Sequence, residues 1–152
     1  WDATVVYHSR TKKDVPYRYF DNLTEMARSC DALICITPGG PSTHKIVNAE
    51  VLEALGPNGT LINVSRGSVV DEAALIAALQ SGKLGWAGLD VFEAEPEVPQ
   101  ALRDLPNTVL LPHVGSATVE TRAAMGALTV DNLLQHLKDG TVVTPVPECA
   151  HL

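Results

Sequence analysis

No stretch of this chain is apolar for long enough to span a bilayer, which excludes a transmembrane helix. Positive charge is in deficit. Eleven Lys and Arg face eighteen Asp and Glu, a formal charge of −7, and that balance argues against a general nucleic-acid or anionic-membrane surface. Cysteine is sparse, and Cys30, Cys35 and Cys149 show no paired spacing. A disulfide framework and a metal site are therefore not expected. The plain reading is buried free thiols in a reducing cytoplasm. Internal repeats and low-complexity tracts are lacking, and the opening residues lead to the expectation of no secretory leader. The opening, Trp1-Asp2-Ala3-Thr4-Val5-Val6-Tyr7, reads as a strand with no start signal, as though the chain begins in the middle of a domain.

What is present suits a globular chain. One hundred and fifty-two residues, 45% hydrophobic and 19% charged, are enough to bury a core in one ordinary domain. β-Branched and aromatic residues predict strands over 4–7 and 17–20. The apolar run Ala32-Leu33-Ile34-Cys35-Ile36, within 31–37, predicts a strand covered on both faces, closed by Pro38-Gly39-Gly40-Pro41. Further strands are expected over 61–64, 86–91 and 108–111. Between them, Asp21 or Asn22 caps a helix over 23–29, and Asn48 caps one carrying Val51, Leu52 and Leu55. Asp71 caps a third with Leu75, Ala78 and Leu79 on one face, and Gly82 stands where its C-terminal cap belongs. A long helix over 118–138 aligns Ala123, Ala127, Val130, Leu134 and Leu137 and ends at Gly140. Residues 93–99 read as a surface loop, and 144–152 as extended. Strands alternating with helices imply βαβ units and a parallel sheet.

Ionisable residues gather where these strands end, which is where open α/β sheets bind ligands. Arg66 lies between a buried strand and Gly67, with a planar fork suited to a carboxylate; a surface arginine, or one that caps a neighbouring carbonyl, is the plainer alternative. His113, between Pro112 and Val114-Gly115-Ser116, is placed to act as an acid or base, although a lone histidine is more often structural. His8, His44, His136 and His151 fall in the class of structural or simply exposed histidines. Glu95 precedes Pro96, so it is extended or in a turn. Against an imidazole it would orient the ring and keep it protonated; otherwise it belongs, with Glu93 and Glu97, to a solvated acidic loop. Asp90 follows Gly88-Leu89 on an apolar strand, and a buried acid needs a partner, either a ligand amide or a backbone nest. After the first strand, Ser9-Arg10-Thr11-Lys12-Lys13 offers cations and no carboxylate before Asp14. In a dinucleotide-binding fold that position faces the adenosine ribose, where Arg accommodates a 2′-phosphate.

Together, Asn63-Val64-Ser65-Arg66-Gly67 with Val70-Asp71, Leu89-Asp90-Val91-Phe92 to Glu95-Pro96, and Pro112-His113-Val114-Gly115-Ser116 resemble the D-isomer-specific 2-hydroxyacid dehydrogenase family over nearly the whole chain. The resemblance implies a catalytic set of Arg66, Glu95 and His113. Arg66 would hold the substrate carboxylate and polarise the keto oxygen, and His113 would protonate the developing alkoxide as hydride arrives. Glu95 would keep the imidazole charged. Asp90 would hold the nicotinamide carboxamide, and Thr37, Val64, Ser65, Gly115 and Ser116 would line the cofactor. The segment from Tyr7 to Lys13 is most similar to the NADPH-preferring glyoxylate/hydroxypyruvate reductases, with Ser9, Arg10 and Thr11 at the ribose end; NADP is the expected cofactor and NAD the alternative. Formate-oxidising members carry Gln where Glu95 stands, so the His–Glu pair fits carbonyl reduction.

The departure from the family is a missing glycine-rich loop. No GxGxxG occurs; Gly39-Gly40 and Gly82, Gly85 and Gly88 have the wrong spacing. In the family that loop precedes the strand where this sequence starts, and the substrate lobe is missing as well. The expectation is a partial Rossmann-type, doubly wound parallel sheet lacking its first βα unit. Residues 1–117 would form the carboxy-terminal part of the NAD(P)-binding domain, and 118–152 a helix and tail returning to the substrate lobe. Such a fragment should bind NADPH weakly and turn over poorly, because the pyrophosphate loses its backbone amides. The implied parent enzyme is a cytoplasmic homodimer that reduces a small 2-oxo acid, glyoxylate or hydroxypyruvate, and binds neither nucleic acid nor membrane. The alternative is a non-catalytic nucleotide-binding or co-regulator module.

Overall fold

The computed structural model describes residues 3–149. Trp1, Asp2, His151 and the end of the expected extended tail lie outside the described residues. Short strands alternate with helices: β1 (Val6–His8), β2 (Arg18–Phe20), α1 (Leu23–Arg28), β3 (Ala32–Cys35), α2 (Ala49–Leu55), β4 (Thr60–Asn63), α3 (Glu72–Gln80), β5 (Trp86–Leu89), α4 (Gln100–Arg103), β6 (Thr108–Leu110) and α5 (Val119–Asp139). The chain divides into two units, one ending at Pro112 and the other starting at His113.

In the first unit every pairing between these strands is parallel. β1 pairs with β2 in one sheet, and β3, β4, β5 and β6 follow one another in a second. Cys35, Asn63, Leu89 and Leu110 stand in one cross-strand row, so the carboxyl ends of four strands emerge along one edge. This is the α/β, Rossmann-like arrangement expected of a partial domain.

Local chemistry starts the helices where the sequence indicates. Asn22, not Asp21, caps α1 by accepting from the Glu25 amide at 3.0 Å. Asn48 and Asp71 do the same for the amides of Val51 and Ala74, at 3.1 and 3.2 Å. Each cap satisfies an amide that has no partner inside its helix. Gly82 follows α3 with φ 72°, the left-handed geometry that ends a helix. α1, α2, α3 and α4 all contribute to a single apolar cluster, in which Leu52, Leu61, Leu75, Leu84 and Leu102 are almost wholly buried.

The sequence reading needs several corrections. β3 is not covered on both faces: Leu33 and Cys35 are buried, whereas Ala32 and Ile34 are exposed. Side chains alternate along a strand, and the first unit's helices join one cluster on the Leu33–Leu61–Leu89 face. The opposite face therefore leaves Ile34, Trp86 and Val109 more than half exposed, at 58%, 56% and 63%. β4 closes at Asn63 and β5 at Leu89, so Val64 and Asp90 lie just past strand ends rather than on strands. α4 was not expected after the acidic loop, because four residues are too few to show helical periodicity.

Within the second unit, the Thr118 hydroxyl caps α5 at the Thr121 amide, 3.1 Å away, and Gly140 ends the helix with φ 80°. The Thr141 hydroxyl and amide, with His136, hold the Asp139 carboxyl below its usual range. The predicted apolar positions are present, yet α5 has no buried residue. Pro147–Cys149 forms a 3-10 turn where extended chain was expected; proline suits its first position, and the Cys149 amide reaches Val146 O at 2.8 Å.

Cys30 is half-buried, Cys35 buried and Cys149 exposed, and all three are free. Burial pushes the Cys35 thiol up to about 12, which keeps it protonated and inert. No helix among the described residues is long and apolar enough to cross a membrane.

Candidate active site

Arg66 follows β4 through a turn that Asn63 clamps. The Asn63 side chain is buried, and its Nδ2 donates to Arg66 O at 3.0 Å. Its Oδ1 accepts from the Ser65 amide at 3.1 Å and from the Ser65 hydroxyl at 2.9 Å. Three bonds from one amide fix the backbone on both sides of Val64-Ser65 and leave the Arg66 side chain exposed at the carboxyl edge of the sheet. Arg66 Nη1 donates to Ser65 O at 2.6 Å. Its stem packs against Gly39, where a Cβ would stand 2.8 Å from Arg66 Cγ.

The next strand end is pressed against this one. A Cβ on Gly67 would lie 2.0 Å from both the carbonyl carbon and oxygen of Phe92, so only glycine lets the two backbones approach this closely. The loop that starts at Phe92 is folded by Glu95, whose Oε1 accepts from the Phe92 amide at 2.9 Å. Asp90 is buried one residue past β5, and its amide donates to Asn63 O at 3.0 Å. Lys45 Nζ lies 3.7 Å from Asp71 and 3.9 Å from Glu93, bridging the start of α3 and this loop across partly exposed surface. The structure thus brings Val64, Ser65, Arg66, Asp90 and Glu95 to two adjoining strand ends.

A second group gathers between β1 and β3. A cleft of about 650 Å³ is lined at its polar end by Ser9, Arg10, Thr11, Lys13 and Thr37. The Ser9 hydroxyl donates to Thr11 O at 2.7 Å and folds the turn that carries Arg10. The remaining residues predicted to form the site, His113, Gly115 and Ser116, belong to the second unit and are exposed there. His113 has φ 55°, left-handed geometry that a non-glycine residue seldom adopts. Two other histidines serve the backbone: His8 Nδ1 is 2.9 Å from Phe20 O, and His136 Nδ1 is 3.2 Å from Gly140 O.

Residues 1–115 match the family model described as D-isomer specific 2-hydroxyacid dehydrogenase, NAD binding domain. The chain belongs to this family. It is 51% identical over 147 residues to a hydroxyphenylpyruvate reductase of Plectranthus scutellarioides, covering 96% of this chain and 47% of that protein. A glyoxylate/hydroxypyruvate reductase of Arabidopsis thaliana shows the same identity and the same coverage. Among solved structures, an NADPH-dependent glyoxylate/hydroxypyruvate reductase from Sinorhizobium meliloti, in complex with NADP and malonate, superposes with a TM-score of 0.93. It is 55% identical and is matched over 97% of this chain and 46% of its own. The chain thus spans about half the length of the relatives it matches.

Sequence reasoning named Arg66 and Glu95 but missed the residues that hold their loops. Asn63 carried a signal, an amide side chain three positions before the arginine. Gly39 carried none, because its contact with Arg66 joins segments far apart in sequence.

Proposed function

We propose that this chain supplies the cofactor half and the catalytic side chains of an NAD(P)H-dependent reductase of small 2-oxo acids, with glyoxylate or hydroxypyruvate as substrate. The observation that carries this reading is the locked pair of strand ends, which presents an arginine fork and a carboxylate-bearing loop within one family of 2-hydroxyacid dehydrogenases.

The polar end of the cleft fits the adenosine portion of a dinucleotide. Ser9, Arg10 and Thr11 provide hydroxyls and a guanidinium, with no carboxylate among the described residues that line the cleft, which favours a ribose bearing a 2′-phosphate and hence NADP over NAD. Thr37, Val64, Ser65, Asp90, Gly115 and Ser116 would hold the remainder. The Ser65 hydroxyl is bonded to Asn63, so that residue would contribute backbone. When bound, the cofactor supplies a hydride. Arg66 then holds the substrate carboxylate through two parallel hydrogen bonds and polarises the keto oxygen. His113 delivers a proton to that oxygen as charge develops, and its unusual backbone conformation is the kind of strain that collects at functional positions. Glu95 keeps the imidazole oriented toward that oxygen. A cytoplasmic homodimer acting without nucleic acid or membrane is the setting this reading implies.

The test is NADPH oxidation dependent on glyoxylate or hydroxypyruvate, measured in the longest natural form of the polypeptide. His113→Gln should lower kcat by two orders of magnitude or more, about the contribution of one positioned acid–base group. Near-normal turnover would remove the role given to His113. Binding of NADPH with no turnover of any small 2-oxo acid would favour a nucleotide-sensing module instead.

A further inference from the structure

The turn from Ser9 to Lys13 carries two cations of the cleft's polar rim, Arg10 and Lys13. It leaves β1 across largely exposed surface, and among the described residues no backbone–backbone hydrogen bond closes it. Its shape is set by side chains instead. β1 and β2 run parallel with Tyr7 beside Tyr19 in register, so both rings stand on one face of the pair. The ring centroids are 5.3 Å apart and the planes are inclined at 50°, a tilted contact of the kind aromatic pairs favour. Their hydroxyls reach the turn at its two ends. Tyr7 Oη accepts from the Lys13 amide at 2.8 Å and donates to Lys13 O at 2.9 Å. One phenol thereby satisfies both backbone groups of Lys13, as a partner residue in an antiparallel ladder would. Tyr19 Oη donates to Ser9 O at 3.1 Å. Together with the bond from the Ser9 hydroxyl to Thr11 O, these hold the backbone that carries Arg10 at its entry, its middle and its exit.

We propose that Tyr7 and Tyr19 are positioning residues for a ribose 2′-phosphate: they hold the turn from Ser9 to Lys13 ready for the anion, and so set the preference for a 2′-phosphate over a 2′-hydroxyl. The inference rests on the reading of the cleft as an NADP site. A flexible turn would have to be ordered as the phosphate arrives, and the entropy lost at that moment subtracts from affinity. A turn fixed beforehand avoids that loss. The benefit falls on the phosphate, because a plain 2′-hydroxyl brings no charge for Arg10 or Lys13 to meet. Tyrosine suits this task chemically. Its uncharged hydroxyl both donates and accepts, so it can satisfy Lys13 N–H and Lys13 O together. An ionised carboxylate in its place would only accept, and would set a negative charge beside the phosphate.

The experiment measures binding of adenosine 2′,5′-bisphosphate and of 5′-AMP, which differ only in the 2′-phosphate, by calorimetric titration of the longest natural form of the polypeptide. The unaltered protein should prefer the bisphosphate. Tyr7→Phe keeps the ring and removes both bonds to Lys13; it should weaken bisphosphate binding about tenfold and leave 5′-AMP within about twofold. Tyr19→Phe removes one bond and should weaken the bisphosphate about threefold. Tyr17→Phe, at an exposed tyrosine just before β2, is the control and should alter neither. Preference kept in Tyr7→Phe, or both ligands weakened alike as a merely structural residue would cause, overturns the proposal and leaves the NADP reading standing. An equal loss of preference in Tyr17→Phe overturns it as well. Equal binding of the two ligands by the unaltered protein sinks the NADP reading first and the proposal with it.

Discussion

Replacing Gly67 with alanine puts a Cβ 2.0 Å from the carbonyl carbon and oxygen of Phe92 and 2.4 Å from the Glu93 nitrogen. All three are backbone atoms, so no side chain can swing aside, and the turn carrying Arg66 must part from the loop carrying Glu95. Overpacking of this kind costs about 3 kcal/mol. With a urea m-value of about 2–3 kcal/mol/M for a chain of this size, the unfolding midpoint should fall by about 1 M. Gly82→Ala is the matched control: it has φ 72° and nothing within 4 Å, so it suffers only the left-handed backbone penalty of about 1 kcal/mol. If the reductase reading holds, Gly67→Ala should also lower kcat/KM about a hundredfold, since displacing a positioned group by about an ångström has that effect. A midpoint no lower than that of Gly82→Ala, with unchanged turnover, would refute the claim that this contact sets the spacing of the two loops.

Asn63→Ala removes the partner of the buried Ser65 amide and hydroxyl and of Arg66 O, and should destabilise the chain by roughly 3 kcal/mol; urea titration reads this directly, and a loss below about 1 kcal/mol would mean that the turn holds itself. Cys35 supplies a pH test. Its folded pKa is raised to about 12 from 9.0, so the stability it contributes is complete below pH 9.0 and is lost as pH rises toward 12. Cys35→Val should flatten the fall of the urea midpoint across that window, and an unchanged slope would contradict the burial argument. Arg10→Ala should weaken NADPH binding by about tenfold or more and leave NADH binding nearly unaltered, as measured by calorimetric titration; equal losses for both would remove the 2′-phosphate role.

Much of this fold follows from short-range rules, and that much was legible. Asn48 and Asp71 cap helices because their side chains reach amides three residues on. Arg66 was legible because a buried strand followed by glycine leaves an arginine at a sheet edge. The parts that escaped depend on segments distant in sequence. Ile34 lies in an apolar run that reads as doubly covered, yet the first unit's helices join one cluster on the opposite face, and local periodicity does not report on which side helices pack. Gly67 resembled an ordinary turn glycine, although its reason is Phe92, which only parallel pairing of β4 with β5 brings near. The clamp formed by Asn63 was half visible: its position was noted within a motif, but its three bonds require the turn to be built first.

The most direct test is a crystal structure of the longest natural form of the polypeptide with NADPH and oxalate bound. The account predicts that the Arg66 fork grips a carboxylate of the oxalate, that one imidazole nitrogen of His113 faces the oxygen standing in for the substrate keto group, and that Glu95 bonds the other nitrogen. Arg66, Glu95 and His113 on separate faces, or oxalate bound away from all three, would contradict it.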